Sequence, residues 1–283
     1  MAKIVRASDG TEVKPAEVEK TARTVKKAAE ETAEKVDKPA AGKTDKGRAT
    51  GLRIGAIALW LVAIGCEVLA IMALLKDFSI RFTKTPSTNI LLTLILFIVL
   101  DLIFAIIAAQ LWKKANHIDP PSEKNKFVFY LVSEFGVIMA CICFIPLIIF
   151  LLKNKKLDKK TKLIATIVAI VALLITGVAS ADFNPISAEQ KQEAEQVFTG
   201  DIYWTPFGHK YHLHEECGSI SNSSTLYAGE VKEAIESGRT SVCSFCRNWW
   251  DTQVANGVEG FEAIDWAKLN VDAAEIVENL GGD

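Results

Sequence analysis

The stretch ILLTLILFIVLDLIFAIIAAQLW, residues 90–112, decides the architecture of this 283-residue chain. Its 23 residues hold a single charge, Asp101. A hydrocarbon layer about 30 Å thick is crossed by roughly 20 apolar helical residues, so this run is long enough to span one. Three further runs flank it, at 53–75, 127–152 and 163–181. Ile54 to Leu75 carries only Glu67, Phe127 to Leu152 only Glu134, and Leu163 to Ala181 no charge. Backbone groups in lipid must be satisfied within their own segment, which selects helices, and the short alternating strands of a barrel are absent from the sequence pattern. Half the residues are hydrophobic and 23% are charged, a mixture that is segregated along the chain rather than interleaved. A purely soluble globule and a disordered protein are both excluded.

Lys and Arg total 32 against 34 Asp and Glu, a net charge of −2, which argues against a basic nucleic-acid binder. Trp60, Trp112 and Tyr130 fall near span ends, where amphipathic rings favour the membrane interface. Pro146 is expected to kink the third span by removing one backbone hydrogen bond. The first run starts too far into the chain to be a secretion signal. The fourth, preceded by Lys159, Lys160 and Lys162 and ending in Ala179-Ser180-Ala181, has an internal-signal look, but after three spans it reads as a short final one. Four spans put both termini on one side. Lys and Arg near the spans number 11 on that side and nine on the other, so the positive-inside rule separates them weakly. A polar leading tail of some 50 residues favours both termini in the cytoplasm and a multi-pass cell-membrane protein.

Glu67, Asp101 and Glu134 stand out because an acid at the centre of a membrane helix costs about 2.5–3.5 kcal/mol. Two readings stay open: an intramembrane polar cluster in a small proton- or ion-coupled transporter, or acids that fix helix packing. Packing is favoured, since the spans contain no Lys or Arg partner and no broken-helix repeat. Cys66, Cys141 and Cys143 read as small buried hydrophobes.

Residues 1–52 hold 12 Lys and Arg and nine Asp and Glu, and read as a polar, largely disordered tail with a solvated helix over 14–36 and a flexible basic approach over 42–48. Residues 182–197 form a linker in which Ser187 and Gln190 have capping-box spacing, predicting a helix to about Val197. Residues 251–283 carry eight acids and one lysine, with apolar residues spaced for one or two amphipathic helices.

Between them, 198–250 holds the strongest motif: Tyr211-His212-Leu213-His214-Glu215-Glu216-Cys217, then Cys243-Ser244-Phe245-Cys246. Two thiolates two residues apart grip one tetrahedral ion from a tight turn, and Cys217 plus a nearby histidine complete four ligands. His209, His212 and His214 are the candidates, and His212 is favoured because it can leave a strand just before the Cys217 turn. Ile202–Thr205 and Lys210–Leu213 around Pro206-Phe207-Gly208 predict a hairpin, and Ala228–Glu236 a helix ended by Gly238. A domain near 50 residues is too small for a generous core, so a metal ion would supply much of its folding energy. The alternative for the three cysteines is a disulfide or free thiols.

The order Tyr203-Trp204-Thr205-Pro206, Gly208, Tyr211-His212, Cys217, Glu233-Ala234, Gly238, Cys243 and Cys246 resembles the Ada-type metal-binding module, in the version appended to secreted nucleases and membrane proteins of Gram-positive bacteria. The resemblance covers 202–246 and implies zinc at His212, Cys217, Cys243 and Cys246. Ada itself uses a fourth cysteine and a methyl-accepting thiolate. A histidine stands in that place here, which puts methyl transfer in doubt. The whole chain is also similar to bacterial multi-pass membrane proteins that carry the module.

The expected fold is therefore an α-helical membrane bundle of four transmembrane helices plus a small α+β zinc-binding domain. The lipid bilayer is the first expected partner and a protein the second. Lys210, Lys232, Arg239 and Arg247 are outnumbered in 198–250 by six acids, which argues against nucleic acid. No Ser/His/Asp set, P-loop or dinucleotide fingerprint is present, so the chain reads as a binding or sensing protein and not an enzyme.

Overall fold

The computed structural model describes residues 3–12, 43–76, 79–198 and 200–269. The expected helix over 14–36 and the chain beyond 269 lie outside them. The described residues divide into two compact units: one of 47–115 and 130–182, the other of the remainder.

The first unit is helical. Four helices are long and apolar enough to cross a membrane: α1 (Lys43–Lys76), α2 (Pro86–Ile118), α4 (Phe135–Lys153) and α5 (Lys159–Ser180). A short α3 (Lys126–Ser133) precedes α4. Pro86 starts α2, where its missing N–H costs nothing, and Asp158 caps α5 by accepting from the Thr161 N–H at 2.9 Å. The interior is small and aliphatic, with Leu94, Ile98, Cys143, Phe144, Leu147, Leu151 and Ala169 buried. Large apolar side chains on the other faces, such as Leu61, Ile103, Ile149 and Leu174, are exposed. Where a soluble bundle would place polar groups, this one places leucine and isoleucine.

Gly136 marks a close approach of helices. A Cβ there would lie 3.2 Å from the Cβ atoms of both Ala109 and Ser180, so α2, α4 and α5 meet over small residues. Gly136→Leu should separate them and cost about 1–3 kcal/mol by overpacking. A thermal melt of the purified protein in detergent, compared with wild type, checks it; an unchanged midpoint would mean the contact is slack.

Two helical expectations need correction. The basic approach at 42–48 is helical from Lys43, so α1 begins ten residues before the apolar run. The third run is two helices, broken at Glu134 (φ −94°, ψ 15°), where the Trp112 indole N–H donates to the Val132 carbonyl at 2.8 Å. Apolar composition reports that a segment is buried in grease, not that its dihedrals are continuous. Helix α4 is continuous through Pro146, and the Leu147 N–H donates to Glu67 Oε1 at 3.2 Å.

The second unit carries the sheets. Strand β1 (Lys3–Arg6) pairs in parallel with β4 (Thr225–Gly229), and β4 pairs antiparallel with β2 (Ile202–Trp204), giving the order β1-β4-β2. A second, two-stranded sheet joins β3 (Lys210–Tyr211) in parallel to β5 (Ser241–Val242). Helix α6 (Ala188–Val197) has the expected capping box: Ser187 Oγ accepts from Gln190 N at 3.1 Å, and Gln190 Oε1 accepts from Ser187 N at 3.0 Å. Helix α7 (Val231–Glu236) follows β4 and closes at Gly238, whose φ of +87° suits glycine. Helix α8 (Ser244–Ala255) and the short α9 (Trp266–Leu269) complete the unit.

The core shows that the module is larger than 198–250. Ile186 and Ala194 from the expected linker, and Trp266 and Leu269 from the expected acidic tail, pack with Phe198, Trp204, Tyr211, Ile235 and Val242. The tail expectation also fails at its start, because Lys3–Arg6 is a sheet strand. Ile4 is 3% exposed and packs with Tyr203, Ile220 and Leu226. Two sequence boundaries shift. The hairpin shrinks to one bridge, Tyr203 with His212, while its strands pair elsewhere. Ala228 and Gly229 belong to β4, because Ala228 is paired on both sides, with Arg6 and with Tyr203. Ile4→Ala should destabilise this unit by about 2–4 kcal/mol through the cavity it leaves. Denaturant unfolding followed by tryptophan fluorescence would show the shift; no shift would mean β1 is dispensable.

Candidate metal centre

Each ligand candidate is set by a nearby backbone anchor. His212 follows β3 and is locked by a reciprocal pair of hydrogen bonds with Tyr203, 2.8 Å from Tyr203 N to His212 O and 2.7 Å from His212 N to Tyr203 O. Cys217 sits in a turn whose Ile220 N–H donates to the Cys217 carbonyl at 2.9 Å. Cys243 leaves β5 with its N–H donating to Tyr211 O at 2.9 Å, and stands as the residue capping α8. Cys246 lies in the first turn of α8, where the helix dipole favours negative charge.

These four side chains converge. All four are buried, and their ligand atoms lie within 4.8 Å of one another. His212 Nδ1 is 3.4 Å from Cys217 Sγ and 3.9 Å from Cys246 Sγ, and Cys217 Sγ is 4.0 Å from Cys243 Sγ. A tetrahedral ion bound to sulfur at about 2.3 Å and to nitrogen at about 2.0 Å has edges of about 3.8 Å between sulfurs and about 3.5 Å between sulfur and nitrogen. The three spacings lie close to those edges and all four ligand atoms fall within 4.8 Å of one another, so the cluster could hold a metal ion. A disulfide would need two sulfurs near 2 Å, and all six cysteines are free.

The electrostatics agree with ligation. Burial, helped by neighbouring His214, lowers His212 to about 4, so its imidazole is neutral at physiological pH and has a lone pair to give. The nitrogen facing the sulfurs is Nδ1. Burial would by itself raise the Cys243 thiol, but the Ser219 hydroxyl and the backbone N–H groups of Cys246 and Phe245 outweigh it and leave the thiol lowered. Cys246 is pushed up by burial. A divalent cation would compensate the cost of placing that thiolate in an apolar setting beside Ile4, Ile220 and Leu226.

The other histidines are not ligands. His214 stacks near Trp249, with ring centroids 4.4 Å apart, and neither it nor His209 joins the cluster. Glu215 and Glu216 also lie outside it. Ser219, which lies 3.5 Å from Cys243 Sγ, was not singled out by the sequence. A lone serine two residues after a cysteine carries no spacing signal.

Glu67, Asp101 and Glu134, the acids of the apolar runs, do not form one cluster. Glu67 and Asp101 act on each other and on Cys143. Glu134 is grouped instead with Tyr130, Lys113 and Asp182, and its Oε1 accepts the Asp182 N–H at 3.3 Å. Leu147, which meets Glu67, is 13 residues beyond Glu134, or about 20 Å along a helix axis. Lys113 Nζ donates to the Ala179 and Ala181 carbonyls at 2.9 and 3.2 Å, capping the end of α5.

One further buried charge went unnoticed in the sequence. Lys191, 8% exposed, donates to the His117 and Ile118 carbonyls at 3.2 and 2.7 Å, with Glu236 Oε1 3.9 Å away. Burial lowers its pKa, and Glu236 opposes that shift. A lysine that closes the last carbonyls of α2 is a structural cap.

No protein-family model matches this chain, and comparison with curated proteins and with solved structures gives no match either.

Proposed function

We propose that this chain is an integral membrane protein whose four apolar helices cross the bilayer and carry a soluble module folded around structural zinc, and that the module serves in binding or sensing. The buried His212, Cys217, Cys243 and Cys246 quartet carries the proposal. Three thiolates and one imidazole in tetrahedral spacing suit zinc among the common divalent ions. Four protein ligands fill a tetrahedral shell and leave no open position for water, which separates a structural ion from a catalytic one. The membrane part rests on helices of 19 to 34 residues that expose leucine, isoleucine and valine outward.

The module is proposed to be of the Ada type, without methyl transfer, because a histidine stands among its ligands. Its partner is proposed to be a protein rather than nucleic acid, since acids outnumber bases in 198–250. Both termini are proposed to lie in the cytoplasm of a bacterial cell, on the polarity of the segment ahead of the first apolar run.

Zinc analysis of the purified full-length protein, joined to maleimide labelling in intact cells with and without a chelator, tests this reading. About one equivalent of zinc, membrane retention after alkaline washing, and labelling of Cys217, Cys243 and Cys246 only in permeabilised, chelated cells are the expected results. Less than half an equivalent of metal would remove the zinc proposal. Release from membranes by alkali would remove the anchor, and labelling in unpermeabilised, chelated cells would reverse the orientation.

A further inference from the structure

The bundle contains a pair of acids that the metal centre does not explain. Asp101, on α2, is 1% exposed, and among the described residues the only donor near its carboxyl is the weak Cys143 thiol, with no N–H or hydroxyl in hydrogen-bond geometry. Glu67, on α1, is 5% exposed, and the two carboxyls are near enough to act on each other. Glu67 already has a built role in one direction. Its Oε1 accepts the Leu147 N–H at 3.2 Å, one residue past Pro146, where the proline ring disturbs the helical bonding of α4.

The other titratable groups facing Asp101 are few. Cys66 comes from α1 and Cys143 from α4. Between Leu163 and Ser180, α5 contributes no titratable side chain, and apart from Arg53 at the start of the first, 14 residues before Glu67, the four apolar runs contain no Lys, Arg or His. Two carboxylates with no counter-charge are strongly disfavoured in an apolar interior. Something positive must accompany them. A hard metal cation takes about six or more oxygen ligands. Glu67 and Asp101 offer four carboxylate oxygens, one of them engaged by Leu147, and their neighbours are thiols. A proton needs a single lone pair.

We propose that Glu67 and Asp101 form a buried proton-binding site in the interior of the helical unit, separate from the metal centre. Protonation takes one H⁺ from water and turns one acceptor-only carboxylate into a carboxylic acid with an O–H to donate. The pair then has a donor that it lacks when both members are charged. Glu134 lies outside this site.

Infrared spectroscopy of the full-length protein in lipid nanodiscs tests it through the carbonyl stretch of a protonated carboxylic acid. At neutral pH the wild type should show this band, and it should shift on transfer to deuterated water. Asp101→Asn and Glu67→Gln should each weaken the band, the double variant should abolish it, and Glu134→Gln should leave it intact. The amide variants imitate the neutral acid, so Asp101→Asn should melt close to wild type. If Asp101→Asn fails to fold, Glu67→Gln gives the same spectral reading. No band at neutral pH, a band that survives the double variant, or a band removed by sodium chloride at constant pH would overturn the proposal.

Discussion

Cys243→Ser should strip the metal from the protein and unfold the sheet-containing unit, while the apolar helices keep their structure. The expectation follows from the size of the terms. Structural zinc supplies an apparent 10–16 kcal/mol or so to small metal-folded domains, more than the total stability of most domains. Serine is similar in shape but has no accessible anion at neutral pH, so the shell loses one of its three negative ligands. The remaining thiolates, Cys217 and Cys246, would then sit at 1% and 0% exposure with too little positive charge beside them. Trp204, Trp249, Trp250 and Trp266 lie in this unit, whereas Trp60 and Trp112 lie in the other. Fluorescence quenching should therefore rise for four of the six indoles, and metal content should fall to near zero. Cys141→Ser, within α4 and outside the quartet, is the control and should change neither. Native quenching with metal lost would show that packing, not the ion, holds the unit together.

Tyr211 separates packing from hydrogen bonding in the same unit. It is 0% exposed and its ring lies 6.0 Å from that of Phe198, yet its hydroxyl has no partner among the described residues. Burial also pushes that hydroxyl well above its usual pKa, so it stays neutral. Tyr211→Ala should cost about 3–5 kcal/mol, the range for emptying a large aromatic site. Tyr211→Phe removes only an unsatisfied polar atom and should be neutral or stabilising by up to about 1 kcal/mol. Equilibrium denaturation of both variants, with metal content held at wild-type level, measures the difference. If Tyr211→Phe were as damaging as Tyr211→Ala, the hydroxyl would have a partner and the site would be wetter than described.

The parts of this structure that could be read in the sequence are those governed by local pattern. Four apolar helices follow from runs of about 20 residues, and the capping box at Ser187 and Gln190 from its spacing. The metal quartet was legible because Cys-x2-Cys is a short-range device that needs only two partners, and the histidine choice was narrowed by the length of chain between His212 and Cys217. What the sequence hid depends on contacts between distant segments. Lys3–Arg6 is four residues of weak pattern, and it becomes a strand only because Thr225–Ala228 offers an edge more than 200 residues later. Ala228 has helical local character, but its pairing on both sides, with Arg6 and with Tyr203, overrides it. The break at Glu134 lies inside an unbroken apolar run. Its partners, Trp112 and Asp182, come from two other segments. Grouping Glu134 with Glu67 and Asp101 failed for a similar reason: similar chemistry on a membrane helix says nothing about depth, and 13 residues of helix keep them apart.

X-ray absorption at the zinc edge of the purified full-length protein tests the central claim most directly, since it reads the shell around the ion atom by atom. Three sulfur scatterers at about 2.3 Å and one nitrogen at about 2.0 Å are expected, with the nitrogen lost in His212→Ala. A shell of oxygens, or a sulfur count that does not change when Cys217, Cys243 or Cys246 is replaced, would contradict it.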